Sequence, residues 1–251
     1  GLASGFLAEH RERDWIVSAL GSFAAEGLIA DVVGMVKSGK EANVYRCTAA
    51  DGTGFNAAKI YRPRMFRNLQ NDAVYRTHRV RRRDSRAERA MAKMTPRGRS
   101  LRMEHWIKFE YDTLAAVHAA GADVPRPLGV SGTAILMEFV GDAELAAPIL
   151  RHADLPPRQA DAVFRRLMEN VETMLAVGTI HADLSPFNVL YWDGRATIID
   201  FAQAVDARSA PDTYELLLRD VRHVVDYFRR YGIEADADAL AHGMWQRHMH
   251  G

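Results

Sequence analysis

Cysteine is nearly missing from this sequence: Cys47 stands alone among 251 residues. A lone thiol closes no internal disulfide, which fits a reducing compartment, and no Cys or Cys/His cluster has the spacing of a structural zinc site. Cys47 itself reads as core filler in a strand. Long apolar runs are missing too, because no window approaches the roughly 20 residues that a membrane helix needs. The N-terminus shows no charged region followed by an apolar run and a cleavage site, so no secretory leader is read there. These absences point to a cytosolic chain without a membrane partner. Internal repeats and low-complexity tracts are also lacking. What is present is apolar content of 48% over 251 residues, enough to bury a substantial core as one large domain or two packed lobes.

Net charge is small as well, at +1, but its distribution is uneven: residues 62–102 hold fourteen Lys and Arg against three Asp and Glu. Clustered cations attract polyanions in a salt-sensitive, sequence-independent way, so this stretch could meet RNA, an acidic partner or phosphates. The alternative is a solvated arm, in which the interspersed Met65, Phe66, Leu69, Val74 and Tyr75 dock on the remainder of the chain.

Periodicity divides the chain in two. Trp15, Ile16, Ala19, Leu20 and Phe23 recur at helical spacing and Gly27 ends the run. Strands follow at 31–36, 42–47 and 55–61, the last after the turn-forming Asp51-Gly-Thr-Gly54. A helix is expected over 103–120, ending at Gly121, and a buried strand over 134–140. Beyond Gly141 the texture is helical. Val163, Phe164, Leu167, Met168, Val171 and Leu175 form one stripe, and a second helix is expected over 214–231. Between them lies a hairpin, 189–192 and 196–199, joined by Asp193-Gly194, a dipeptide suited to a two-residue turn. The expected architecture is α+β and two-lobed. It comprises an N-terminal helical extension over 1–30, an antiparallel-sheet N-lobe over 31–140 carrying the basic loop, and a mainly helical, truncated C-lobe over 141–251.

The chemistry concentrates in His181-Ala-Asp183-Leu-Ser-Pro-Phe-Asn188 and in Asp200, which closes the second hairpin strand. Phosphoryl transfer requires a carboxylate beside the attacking hydroxyl and hard oxygen ligands for Mg2+, and Asp183, Asn188 and Asp200 supply that set. The hairpin places Asn188 and Asp200 at neighbouring strand ends, so both can serve one metal. The competing reading is a loop of Asx-turn residues. Upstream, Gly34-x-x-x-x-Gly39-Lys40 comes close to a Walker P-loop, but Glu41 replaces the Mg2+-binding hydroxyl and a strand follows instead of a helix. The segment instead resembles a degenerate kinase glycine-rich loop, with Lys37, Gly39, Ala42 and Val44 at the corresponding places and Ser38 beside them. Lys59, in Ala57-Ala-Lys59-Ile, is an ammonium among apolar residues and requires a charged partner. ATP phosphates and Glu110 are the candidates, since Glu110 shares a helix face with Trp106, Leu114 and Val117. The alternative is a snorkelling lysine and a solvated glutamate. Met137-Glu138-Phe139-Val140 reads as the interlobe link, offering backbone groups of Glu138 and Val140 to adenine.

Taken together, Ser38-Gly-Lys-Glu-Ala-Asn-Val-Tyr45, Lys59-Ile-Tyr61, Trp106 with Glu110, Met137-Glu-Phe-Val140, the 181–188 loop and Ile198-Ile-Asp200 resemble the RIO family of atypical protein kinases. The Gly39-Lys-Glu-Ala-Asn-Val44 string is the most specific element. The resemblance implies an ATP-dependent Ser/Thr kinase or ATPase that uses Mg2+, or Mn2+ in its place, and phosphorylates itself. Thr77, Ser85, Thr95 and Ser100 are candidate acceptors. It further implies Asp183 as catalytic base, Asn188 and Asp200 as metal ligands, and Lys59 on the phosphates with Glu110 beside it. Ser38, Gly39, Lys40, Ala42, Val44, Ala57, Met137, Glu138 and Val140 are the remaining expected nucleotide contacts. Asp200 is also a candidate phosphate acceptor. The sequence departs from the family in having His181-Ala-Asp183 where His-Gly-Asp is usual, and Phe201-Ala202 after the metal aspartate. A minimal RIO domain without a winged helix before residue 31 is expected. The short stretch after Asp200 implies the absence of an ordinary kinase's peptide-docking platform.

Two other functions fit parts of this pattern. One is a small-molecule kinase of the aminoglycoside-phosphotransferase type, which shares the His-x-Asp-x-x-x-x-Asn loop but generally has a larger helical lobe. The other is an ATP-switched factor that binds RNA or a ribosomal particle through the basic loop. The tail His248-Met-His250 is expected to be a disordered terminus.

Overall fold

A computed structural model of the chain describes Leu2 and residues 5–6, 11–62, 96–209 and 212–249. Most of the basic stretch, Thr77, Ser85, Thr95 and His250 lie outside the described residues. The chain divides into two compact units. One takes the described residues of Gly1–Tyr75, Arg81–Asp112 and Arg126–Ala146, the other those of Arg76–Val80, Thr113–Pro125 and Ala147–Gly251.

The first unit contains helix α1 (Arg13–Ala25), strands β1 (Ile29–Ser38), β2 (Ala42–Ala49) and β3 (Phe55–Tyr61), most of helix α2 (Pro96–Ala119), and strands β4 (Pro127–Ser131) and β5 (Ala134–Glu138). The strands form one sheet in the order β1-β2-β3-β5-β4. All neighbours are antiparallel. The expectation of a strand over 134–140 is corrected at its end. Asn56 opposite Glu138 is the last pair β3 offers, so Phe139 and Val140 leave the ladder. β4 was not foreseen, because Pro127 and Gly129 disguise an edge strand.

Register explains what each sheet face carries. Val44 pairs with Lys59, Lys59 with Ile135, Arg46 with Ala57, and Ala57 with Met137. Side chains alternate along a strand, so Val44, Arg46, Phe55, Ala57, Lys59, Ile135 and Met137 share one face. The opposite face presents Tyr45, Cys47, Ala58, Ile60, Ala134 and Leu136, which close a core with Ile16, Leu20 and Phe23 of α1.

The second unit holds helices α3 (Pro157–Ala176), α4 (Thr213–Phe228) and α5 (Ala237–Met249), the pair β6 (Thr179–Ile180) with β9 (Val205–Asp206), and the hairpin β7 (Val189–Trp192) with β8 (Arg195–Ile198). Pro157 begins α3, where a missing N–H is harmless. Phe164 of α3 meets Phe228 of α4 at 5.5 Å between ring centroids. Asp193 and Gly194 both take positive φ (46° and 77°) at the hairpin turn, as the Asp-Gly dipeptide implied. The expected disordered tail is corrected for His248 and Met249, which are helical. Arg247 and His248 both reach Glu172 of α3, at 2.6 and 3.2 Å, a partner too remote in sequence to be read locally.

Leu20 is fully buried against the sheet. Leu20→Ala is expected to cost about 3 kcal/mol, read as a lower urea midpoint, whereas Val33→Ala on exposed β1 changes stability by less than about 0.5 kcal/mol.

Candidate active site

In the first unit the expected glycine-rich loop is a tight strand-to-strand connection. The Gly39 amide donates to the Ala42 carbonyl at 3.0 Å. A Cβ at Gly39 would meet that carbonyl oxygen at 2.8 Å, so no larger residue keeps this turn. Ser38 and Lys40 are exposed; Ala42 and Val44 are half-buried. Asn43 beneath the turn is buried. Its amide oxygen accepts from Arg62 (2.9 Å) and Ser38 (3.2 Å), and its amide nitrogen donates to Tyr45 (3.0 Å).

Lys59 and Glu110 meet as expected, Nζ to Oε1 at 2.7 Å, with side chains only 12% and 6% exposed. Snorkelling is thereby ruled out in favour of a paired, buried cation. Glu110 points inward because it continues the buried stripe of Met103, Trp106 and Ile107 on α2. Its second oxygen accepts from the Tyr61 hydroxyl, and the Tyr61 ring lies edge-on to Trp106 at 5.1 Å. Tyr61 was not singled out as a site residue, although its alternation with Lys59 on β3 carried the signal. Ala57 and Met137 stand opposite each other on the face that bears Lys59. Glu138 donates its amide to the Arg126 carbonyl (2.8 Å) and accepts the Arg126 amide on its carboxylate (3.1 Å). That amide is therefore committed and offers nothing to a base. Val140 follows, half-buried, beyond the end of the strand.

In the second unit the 181–188 loop brings its chemistry together. Asp183 is exposed and Asn188 buried. The Asn188 amide nitrogen donates to the Asp183 carbonyl (2.8 Å) and carboxylate (3.0 Å), so Oδ1 is the atom of that side chain that could hold a cation. The Ile199 amide donates to the Asn188 carbonyl at 2.9 Å, so Asp200 follows directly from a residue bonded to Asn188. Asp200 has φ of 70°, a left-handed conformation that aspartate tolerates. An amide oxygen and a carboxylate on tied backbones fit Mg2+, which takes a few protein oxygens and fills its shell with water and phosphate. Among the described residues no group of three or more His, Cys, Asp or Glu could hold a metal alone.

What holds the loop was missed at the sequence level. Asp220 of α4 is buried, and its two oxygens accept from the amides of Ala182 (2.7 Å) and Leu184 (3.0 Å), on either side of Asp183. Arg219 donates to the Ala182 carbonyl, and His223 Nδ1 contacts the Leu184 carbonyl at 2.9 Å. The buried His181 ring accepts the Asp183 amide on Nδ1 (3.3 Å), so its Nε2–H donates to the Ile199 carbonyl (3.0 Å). A signal existed: Asp220 interrupts the apolar face of Leu217, Val221 and Val224, where an acid is costly unless paired.

The sheet with its Lys–Glu pair and the Asp-x-x-x-x-Asn loop followed by a strand-ending Asp define a protein-kinase-like α+β fold. The structure is similar to Rio2 kinase from Chaetomium thermophilum, solved as an ADP/Mg2+-phosphoaspartate complex. The TM-score is 0.65 at 21% identity, covering 92% of this chain and 66% of that one. A second Rio2 kinase structure from the same organism matches with a TM-score of 0.62 at 22% identity, over 92% of this chain and 68% of that one.

The RIO domain family model matches residues 43–240, and the chain belongs to that family. Serine/threonine-protein kinase RIO1 of Caenorhabditis elegans is 31% identical over 82% of this chain. RIO-type serine/threonine-protein kinase Rio1 of Haloferax volcanii is 31% identical over 90% of it. The match spans 39% of the worm protein and 73% of the archaeal one.

Burial pushes the Asp220 carboxyl up to about 7, against the Ala182 and Leu184 amides, which favour its charged form. An unfolded aspartate titrates near 3.9. The folded protein therefore holds more protons than the unfolded chain between about pH 4 and 7, and this group's contribution to stability falls as pH rises through that window. Asp220→Asn is expected to remove that slope, checked by urea midpoints of both proteins from pH 5 to 8.

Proposed function

We propose that this chain is an ATP- and Mg2+-dependent phosphotransferase of RIO type, acting on protein serine or threonine hydroxyls, including its own, or on water. The observation that carries the proposal is the Asn188 amide bonded to the Asp183 carboxylate, with Asp200 on the adjoining strand end. In this reading Asp183 accepts the proton of the attacking hydroxyl, and its exposure leaves it accessible to an acceptor. Asn188 Oδ1 and Asp200 hold the metal, which neutralises charge on the phosphate oxygens when bound. Lys59, kept straight by Glu110 and Tyr61, pairs with the phosphates, and the Gly39 turn lets backbone approach them. Val44, Ala57 and Met137 offer the base an apolar floor on the face that carries Lys59. Glu138 contributes its carbonyl and Val140 its amide.

Asp200 is in addition a candidate acceptor, as the phosphoaspartate of the Rio2 complex illustrates. Its carboxylate would attack the γ-phosphorus, the bond to the β-phosphate oxygen would break and ADP would leave; water would later cleave the acyl phosphate, releasing inorganic phosphate and restoring the carboxylate. Among the described residues no helix is long and apolar enough to cross a membrane. A second reading, binding of RNA or a ribosomal particle, is supported by the fourteen basic residues of 62–102. It is compatible with the first, since ATP turnover can serve as the switch.

With labelled ATP and Mg2+, Asp183→Ala and Asp200→Ala are each expected to lower turnover by about 10²–10⁴-fold. Variants that match wild type would end the phosphotransferase reading. Label that hydroxylamine removes from wild type and that never forms on Asp200→Ala marks the aspartyl route; hydroxylamine-stable label marks serine or threonine. For the second reading, RNA affinity is expected to fall steeply across a salt series and to weaken when Arg81, Arg82 and Arg83 are neutralised. A flat salt response would reject phosphate contacts.

A further inference from the structure

β5 ends at Glu138, yet the segment that follows it does not float. Arg46, on β2, reaches across β3 to grip that segment. Its guanidinium carbon lies 4.9 Å from the centre of the Phe55 ring and 5.8 Å from that of Phe139. Its Nη1 donates to the carbonyls of Ala143 (2.8 Å) and Asp142 (3.4 Å). Phe55 and Phe139 meet edge-on at 6.0 Å. One side chain thus joins two aromatic rings and two backbone carbonyls across residues 139–143.

The segment needs such a tie. Its ladder partner runs out at Asn56, and Gly141 has φ of 140°, in a region where only glycine is at ease. Asp142 organises the next turn, its carboxylate accepting the amides of Glu144 and Leu145, both at 2.8 Å. Between the end of the strand and this turn stand Phe139 and Val140, and the Arg46 stack holds Phe139. Arg46 also belongs to the sheet face of Ala57 and Lys59, at the end of β3 away from Tyr61.

We propose that Arg46 is a positioning residue for the nucleotide base: by fixing residues 139–143 it sets where the Val140 amide stands relative to the Glu138 carbonyl, which the β3 ladder and Arg126 already hold, and with that spacing the preference for adenine. The inference rests on the nucleotide reading above and deepens it. A planar guanidinium can stack on the rings while its Nη1 donates to the carbonyls of Ala143 and Asp142, whereas the shorter-reaching, non-planar lysine ammonium does not combine stacking with those bonds, so Arg46→Lys keeps the charge and loses the brace.

The test measures equilibrium binding of Mg2+ complexes of ATP, GTP and inorganic tripolyphosphate to the full chain, as wild type, Arg46→Lys and Arg46→Met. Wild type is expected to prefer ATP to GTP. Both variants are expected to bind ATP about tenfold more weakly, with the ATP/GTP ratio reduced. Tripolyphosphate, which has no base, is expected to bind unchanged. In turnover the KM for ATP should rise while kcat at saturation holds. Equal weakening of ATP and tripolyphosphate, or an unchanged ATP/GTP ratio, would overturn the inference alone. Wild type that binds no nucleotide would overturn the nucleotide reading and this inference with it.

Discussion

The 181–188 loop depends on one buried carboxylate. Asp220 gives one oxygen to the amide before Asp183 and the other to the amide after it, so Asp183 sits between two fixed points. The carboxylate is costly to bury, and its raised pKa records that cost. What it secures is geometric. The loop exposes Asp183 while burying Ala182 and Leu184 on either side of it, and the Asp220 bonds fix the backbone of those two residues. His181 performs the complementary task toward Asp200, tying the loop to the Ile199 carbonyl immediately before it. The backbone around Asp183, Asn188 and Asp200 is thus fixed from outside the three residues, and Asn188 further ties the Asp183 carboxylate to the loop.

The first unit solves a different problem, which is to keep a lysine in an apolar surface. Alternation along β2, β3 and β5 sends one set of side chains to the α1 core and the other to the face of Lys59. Burial of an unpaired ammonium would be prohibitive, and Glu110 compensates it at 2.7 Å. Tyr61, two residues from Lys59 on the same face, donates to the other Glu110 oxygen. The three side chains are thus linked through Glu110, which both Lys59 and Tyr61 contact.

The sequence disclosed what is local and periodic. Ile16, Leu20 and Phe23 marked α1, Asp193-Gly194 marked the hairpin, and the spacing from Asp183 to Asn188 marked the loop. Glu110 could be paired with Lys59 because helix periodicity showed which way it faced. What stayed hidden depends on partners far along the chain. Asp220 looked like one more acid on an amphipathic helix, and its partners lie 38 and 36 residues away. Arg46 looked like a strand arginine, although its carbonyl partners follow 96 and 97 residues later. Register was hidden as well: the pairing of β5 with β3 ends at Glu138 opposite Asn56, whereas propensity at Phe139 and Val140 argued for continuing the strand.

The departure from the family pattern at Ala182 can be judged on these terms. Ala182 has φ of 62°, a conformation that costs an L-residue about 1–2 kcal/mol and that glycine adopts freely. The usual glycine at this position is therefore a matter of backbone strain, and alanine there must be held. It is held at both polar groups, the amide by Asp220 and the carbonyl by Arg219. An ordinary hydrogen bond contributes about 0.5–1.5 kcal/mol and one to a charged group about 1.5–3 kcal/mol, so the Asp220 and Arg219 bonds together match or exceed the strain. The methyl group of Ala182 is itself buried and offsets more of it. The departure thus leaves the placement of Asp183 intact, and it makes that placement more dependent on α4 than a glycine loop would be.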